Sequence, residues 1–191
     1  MKGRIVAIGA SAGGLRAFRV ILSAVGPRPP APIILVQHRH ERSEQLVEAL
    51  AAPDRPPLRE PEDKEPIAEG VVYVAPAGYH LLVDGDRFAL SIDPPVRHSR
   101  PSIDILFAAV ADAYADGATG VVLTGANGDG AAGLARIAGR GGRVIVQDPD
   151  EAELSTMPRA AIAAVPGADV MRLAEIGRRL GGRPSGVGPD T

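Results

Sequence analysis

Short apolar runs recur along the chain, each stopped by glycine, proline or a charged residue and followed by a stretch with helical spacing. Arg4 to Ile8 leads into Gly9-Ala10-Ser11-Ala12-Gly13-Gly14 and then an amphipathic segment from Leu15 to Val25. That order predicts strand, tight glycine turn, helix. Pro27, Pro29 and Pro30 close the helix, and Pro32-Ile33-Ile34-Leu35-Val36-Gln37 predicts a second buried strand stopping at His38. Ser43 is placed to cap a helix running to about Ala51.

From Pro53 to Glu69 the chain has no sustained period and predicts a loop with one short strand. Strand character resumes at Val71-Val72-Tyr73-Val74-Ala75, and Leu81 to Ile92 predicts a hairpin turning at Asp84-Gly85-Asp86. Pro101-Ser102 opens a helix with Ile103, Leu106, Phe107 and Val110 on one face. The rest alternates regularly: strand Gly120 to Leu123, loop Thr124 to Gly130, helix Ala131 to Ala138, strand Arg143 to Gln147, helix Pro158 to Ala164 and helix Leu173 to Leu180. The expected fold is α/β, a doubly wound, mainly parallel β-sheet flanked by helices, with a small antiparallel hairpin. One domain is expected over residues 1–180, with a disordered tail at 181–191.

Composition narrows the function classes. Apolar residues are 45% of the chain and aromatics only 3%, which suits a sheet packed with Ala, Val, Ile and Leu. The formal charge of −2 supplies no field for binding nucleic acid or anionic lipid. No cysteine is present, which removes disulfides, thiolate metal sites and cysteine nucleophiles. No apolar run has a membrane span's length, so no membrane insertion and a cytoplasmic location are expected. Neither a cofactor nor a metal is called for.

Three residues then stand out, each just past a predicted strand. Gly9-x-Ser11-x-Gly13 fits a nucleophile elbow, in which small neighbours allow a sharp strand-to-helix turn. A serine capping the helix that starts near Gly14 would look the same. His38 follows the second strand and could act as general base, or be a solvated loop histidine beside Arg39, His40 and Glu41. Asp129, in Thr124-Gly125-Ala126-Asn127-Gly128-Asp129-Gly130, could orient that histidine, or cap the helix after it. Serine, histidine and aspartate at the carboxyl ends of three strands together suggest a triad.

With these segments the chain resembles the catalytic domain of the chemotaxis methylesterases, the CheB family. The likeness runs through Ile8 to Gly14, Val36-Gln37-His38, Val71 to Pro76, Arg100-Pro101-Ser102-Ile103-Asp104, Leu123-Thr124-Gly125, Gly128 to Leu134 and Met157-Pro158-Arg159-Ala160. The resemblance implies Ser11 as nucleophile, His38 as base and Asp129 as third member, with backbone support for the oxyanion from Ala12, Ala126 and Asn127. It implies hydrolysis of glutamate γ-methyl esters on the cytoplasmic domain of chemoreceptors, releasing methanol, with deamidation of receptor glutamines as a related activity. Arg97 and Arg100 are candidates for holding acidic receptor surface, and His80 and His98 compete with His38 as base. Where the family has methionine after Thr-Gly and Met-Pro after the histidine, this chain has Ala126 and Arg39-His40. The receiver domain usual in the family is not expected before the first strand.

Two other readings remain. A catalytically impaired interaction module would keep the same fold. A nucleotide binder would use the same strand-glycine-helix turn, but Ser11 stands at the middle glycine of G-x-G-x-x-G and no Walker lysine follows.

Overall fold

Alternating apolar runs and amphipathic stretches assemble into one layered unit in the computed structural model, which describes residues 3–38 and 46–182. The first units are β1 (Ile5–Ala10), α1 (Gly14–Val25), β2 (Ile33–Gln37), α2 (Leu46–Leu50), β3 (Leu58–Arg59) and β4 (Val72–Val74). A hairpin of β5 (His80–Asp84) and β6 (Arg87–Ser91) precedes α3 (Ile103–Tyr114). Then come β7 (Ala118–Val122), α4 (Ala131–Gly139), β8 (Arg143–Gln147), α5 (Thr156–Ala164), β9 (Asp169–Met171) and α6 (Leu173–Leu180). The proposed cap Ser43 lies outside the described residues.

Seven strands form a parallel sheet in the order β3-β4-β2-β1-β7-β8-β9, and β5 and β6 pair antiparallel apart from it. The doubly wound sheet with a separate hairpin agrees with the sequence expectation. Alternation along each strand sends side chains to two cores. Val6 and Ile8 face Phe18, Ile21 and Leu22 of α1 and Ile176 of α6, while Ile5 and Ala7 share the opposite core with Phe107 and Val110 of α3 and Leu134 of α4. Burial on both faces explains why the central strands read as continuous apolar runs.

β9 was not foreseen. Its three residues lie at the sheet edge with Asp169 and Val170 exposed and Met171 half-buried, so no apolar alternation marks them. From β1 the chain winds through α1 toward β2, whereas from β7 it winds through α4 toward β8. The winding therefore reverses between β1 and β7, and the carboxyl ends of strands at such a reversal are where sheets of this kind generally receive a ligand.

Candidate active site

Register places two of the three candidates side by side. Ala10 is paired with Gln37 in the last step of the β1–β2 ladder, and the His38 N–H donates to the Ala10 carbonyl at 3.1 Å. Ser11 and His38 are thus the next residues on adjacent strands. On the other side of β1, the Ser11 N–H donates to the Thr124 carbonyl at 2.9 Å, which ties Ser11 to the loop after β7.

The glycines around Ser11 divide the work differently from a simple elbow. Gly13, at φ 80°, makes the left-handed turn into α1. Gly9 is not left-handed; it is needed because a Cβ there would overlap the Ile103 side chain, so its absence lets the first residue of α3 pack on the end of β1. Ser11 does not cap α1 through its side chain. Gly13 holds the N-cap position, Ser11 contributes its carbonyl to the Gly14 N–H at 2.9 Å, and the Ser11 hydroxyl makes no hydrogen bond to another described residue.

His38 and Asp129 meet directly, Nε2 lying 2.6 Å from Oδ2 with the carboxylate fully buried. An ionised carboxylate accepts only, so the ring proton sits on Nε2 and Nδ1 presents its lone pair. Asp129 does cap a helix, but not the one that follows it. Gly130 takes the N-cap of α4 without a side-chain bond, while Asp129 reaches across to the start of α3. Its Oδ2 accepts the Ile103 N–H at 2.8 Å, and its Oδ1 accepts the Asp104 N–H and the Ser102 hydroxyl, each at 3.0 Å.

These partners set the electrostatics. Burial pushes the Asp129 carboxyl up, but the His38 bond and the two α3 amides outweigh it and hold the group below the usual carboxylate value. Asp104 goes the other way. Its burial raises it, the Gly133 N–H on Oδ1 opposes that rise, and the nearby Asp129 charge adds to it.

The loop after β7 is fixed from behind. The buried Thr124 hydroxyl donates to the Ala12 carbonyl at 2.9 Å and accepts the Leu154 N–H at 3.0 Å, joining the serine turn to the segment before α5. Gly125 donates to Leu154 O and accepts from the Met157 N–H, both at 3.0 Å. A Cβ on Gly125 would stand 3.0 Å from Ser11 Cβ and 2.8 Å from Met157 Sδ, so the backbone passes close against the serine here. The N–H groups of Ala12, Ala126 and Asn127 donate to no other described residue and remain open beside that passage. Asn127 also accepts the Asp129 N–H on its side-chain oxygen at 3.0 Å.

The remaining candidates separate. Arg97 is exposed, with Nη1 3.7 Å from where a Gly128 Cβ would stand, so its charge lies beside the aspartate loop. Arg100 instead donates through Nη1 to the carbonyls of Ile92 and Asp93 at 2.9 and 3.2 Å, tying down the segment after β6. His98 is exposed in a tight turn, in keeping with a solvated loop residue. His80 is wholly buried and both its ring nitrogens are engaged, which removes it as a competing base. Ser102 and Thr124 were missed as site residues. Ser102 was legible only as the start of a helix, and Thr124 only as the first loop residue after a strand.

The nucleotide reading meets an obstacle at the turn itself. Glu153 Oε2 lies 2.8 Å from where a Gly13 Cβ would stand, so an acidic group sits beside the N-cap residue of α1, where its charge would oppose a bound phosphate.

Comparison with known proteins gives one consistent result. The profile described as CheB methylesterase matches residues 6–180. A Leptospira interrogans protein with the provisional name protein-glutamate methylesterase/protein-glutamine glutaminase is 44% identical over 176 residues, covering 90% of each chain. A Burkholderia thailandensis protein-glutamate methylesterase/protein-glutamine glutaminase is 38% identical over 182 residues, or 93% of this chain and 51% of that one, so the chain spans about half of that relative's length. The crystal structure of the Thermotoga maritima CheB methylesterase catalytic domain superimposes with a TM-score of 0.85 at 29% identity, covering 95% of this chain and 99% of that one.

Proposed function

The chain belongs to the CheB methylesterase family, and from that premise we propose that it is a serine hydrolase that removes methyl esters from glutamate side chains of chemoreceptor cytoplasmic domains. Deamidation of receptor glutamines is the companion activity, in line with the names of the relatives. The observation that carries the proposal is the 2.6 Å bond between His38 Nε2 and buried Asp129, with Ser11 following β1 as His38 follows the adjacent β2.

In this mechanism His38 Nδ1 takes the proton as the Ser11 hydroxyl attacks the ester carbonyl, and the carboxylate of Asp129 stabilises the imidazolium that forms. The unbonded Ser11 hydroxyl turns toward Nδ1 when substrate closes the site. The open amides of Ala12, Ala126 and Asn127 are the donors available to the oxyanion. Collapse of the tetrahedral intermediate breaks the C–O bond, and the imidazolium proton leaves with methanol. Water, deprotonated by His38, then attacks the acyl-serine, releasing the glutamate side chain as a carboxylate and returning the proton to Ser11. With glutamine the leaving group is ammonia and the second half is unchanged. Arg97 provides a cation at the rim for acidic receptor surface.

A fluorophosphonate probe is expected to label the wild-type chain at Ser11, and Ser11→Ala is expected to abolish labelling; methanol release from methylated receptor then identifies the substrate. A folded wild type that resists the probe would defeat the esterase proposal and leave the interaction-module reading in its place.

A further inference from the structure

Among the described residues Asp129 has two side-chain donors, His38 on Oδ2 and the Ser102 hydroxyl on Oδ1. Ser102 is fully buried, and its oxygen also accepts the Ile105 N–H at 3.4 Å as the N-cap of α3. With the oxygen committed to the helix, the hydroxyl proton is directed at Asp129. Behind Ser102, buried His80 accepts the Ser102 N–H on Nδ1 at 3.2 Å and donates from Nε2 to the Pro94 carbonyl at 3.1 Å. The two partners require opposite roles of the two nitrogens, so the ring is a neutral imidazole of one tautomer. It spans from the loop after β6 to the first turn of α3 as a fixed spacer.

We infer that Ser102 is a positioning residue for the Asp129 carboxylate, and that His80 acts on the site through Ser102; the inference rests on the triad proposed above. A carboxylate rotates easily about its last side-chain bond, with broad minima. That rotation decides whether Oδ2 points at His38. The Ile103 amide shares Oδ2 with His38, while the Asp104 and Gly130 amides and the Ser102 hydroxyl hold Oδ1. The hydroxyl is the side-chain member of the Oδ1 set, anchored through its own N–H to His80. Asp104, the neighbouring titratable group on this turn, directs Oδ1 to the Gly133 N–H of α4.

The test uses the whole chain and two readouts. The first is the proton on His38 Nε2, followed by NMR without substrate. It is expected far downfield in the wild type, moved upfield and exchanging faster in Ser102→Ala, and restored in Ser102→Thr, which keeps the hydroxyl. Ser102→Gly keeps a well-tolerated N-cap while losing the hydroxyl, so it should behave as Ser102→Ala even where capping is not at issue. The second readout is the rate of fluorophosphonate labelling of Ser11, expected to fall about tenfold in Ser102→Ala or Ser102→Gly and to recover in Ser102→Thr. His80→Leu should lose less, and His80→Leu with Ser102→Ala should label no more slowly than Ser102→Ala alone. His80→Gln, which retains a donor and an acceptor, serves if His80→Leu does not fold. A folded Ser102→Gly with the wild-type proton signal and labelling rate would overturn the inference, and additive losses would overturn the part assigned to His80. An unlabelled wild type would remove the triad, whereas the NMR comparison would still decide what holds Asp129.

Discussion

Asp129 completes the start of α3 and, in the proposed mechanism, orients His38, so one carboxylate has two tasks. Its substitution should therefore show in two measurements. Asp129→Asn is expected to slow labelling of Ser11 by about a thousandfold, through the wrong tautomer on His38. The same variant should lose about 2 kcal/mol of stability at pH 7, because charge-assisted bonds to buried donors become neutral ones. The sign of the pH effect follows from the depressed carboxyl. Stability from this group is present above the unfolded value, about 3.9, and is lost as pH falls through the lower folded value. Chemical denaturation from pH 7 down to about 3 should show the gap between wild type and Asp129→Asn closing toward the acid end.

Between elements, the site depends on how closely the loop after β7 approaches the serine turn. Gly125→Ala is expected to destabilise the protein by about 1–3 kcal/mol and to slow labelling of Ser11, since the new methyl would press on both Ser11 and Met157. Thermal melts and labelling rates read the two effects separately. Much at this scale could be read from the sequence. The bounds of β8 and α6 and the Ser102 start of α3 followed from period and punctuation, because each is decided by neighbours in the chain. What could not be read was long-range. Nothing local tells that Asp129 caps a helix beginning at Ile103, that Gly9 makes room for Ile103, or that His80 is buried behind Ser102. The edge strand β9 escaped because exposed residues carry no alternation.

For the whole molecule, the two carboxyls at the α3–α4 junction should shape stability against pH in opposite senses. Asp104 is raised, so its contribution is fully present below the unfolded value and declines as pH rises through the folded one. Asp104→Asn keeps an acceptor for the Gly133 N–H and is expected to compare better with wild type at pH 7 than at pH 4. Urea melts at the two pH values check this; an advantage confined to pH 4 would refute it. The pairing of Asp129 with α3 also bears on how related chains should be judged. A descendant that had abandoned catalysis would still be selected to keep an aspartate there, because the helix start needs it. The Ser11 hydroxyl holds nothing together among the described residues, so drift would erase it first, and its survival in a sequence is the better witness to working chemistry.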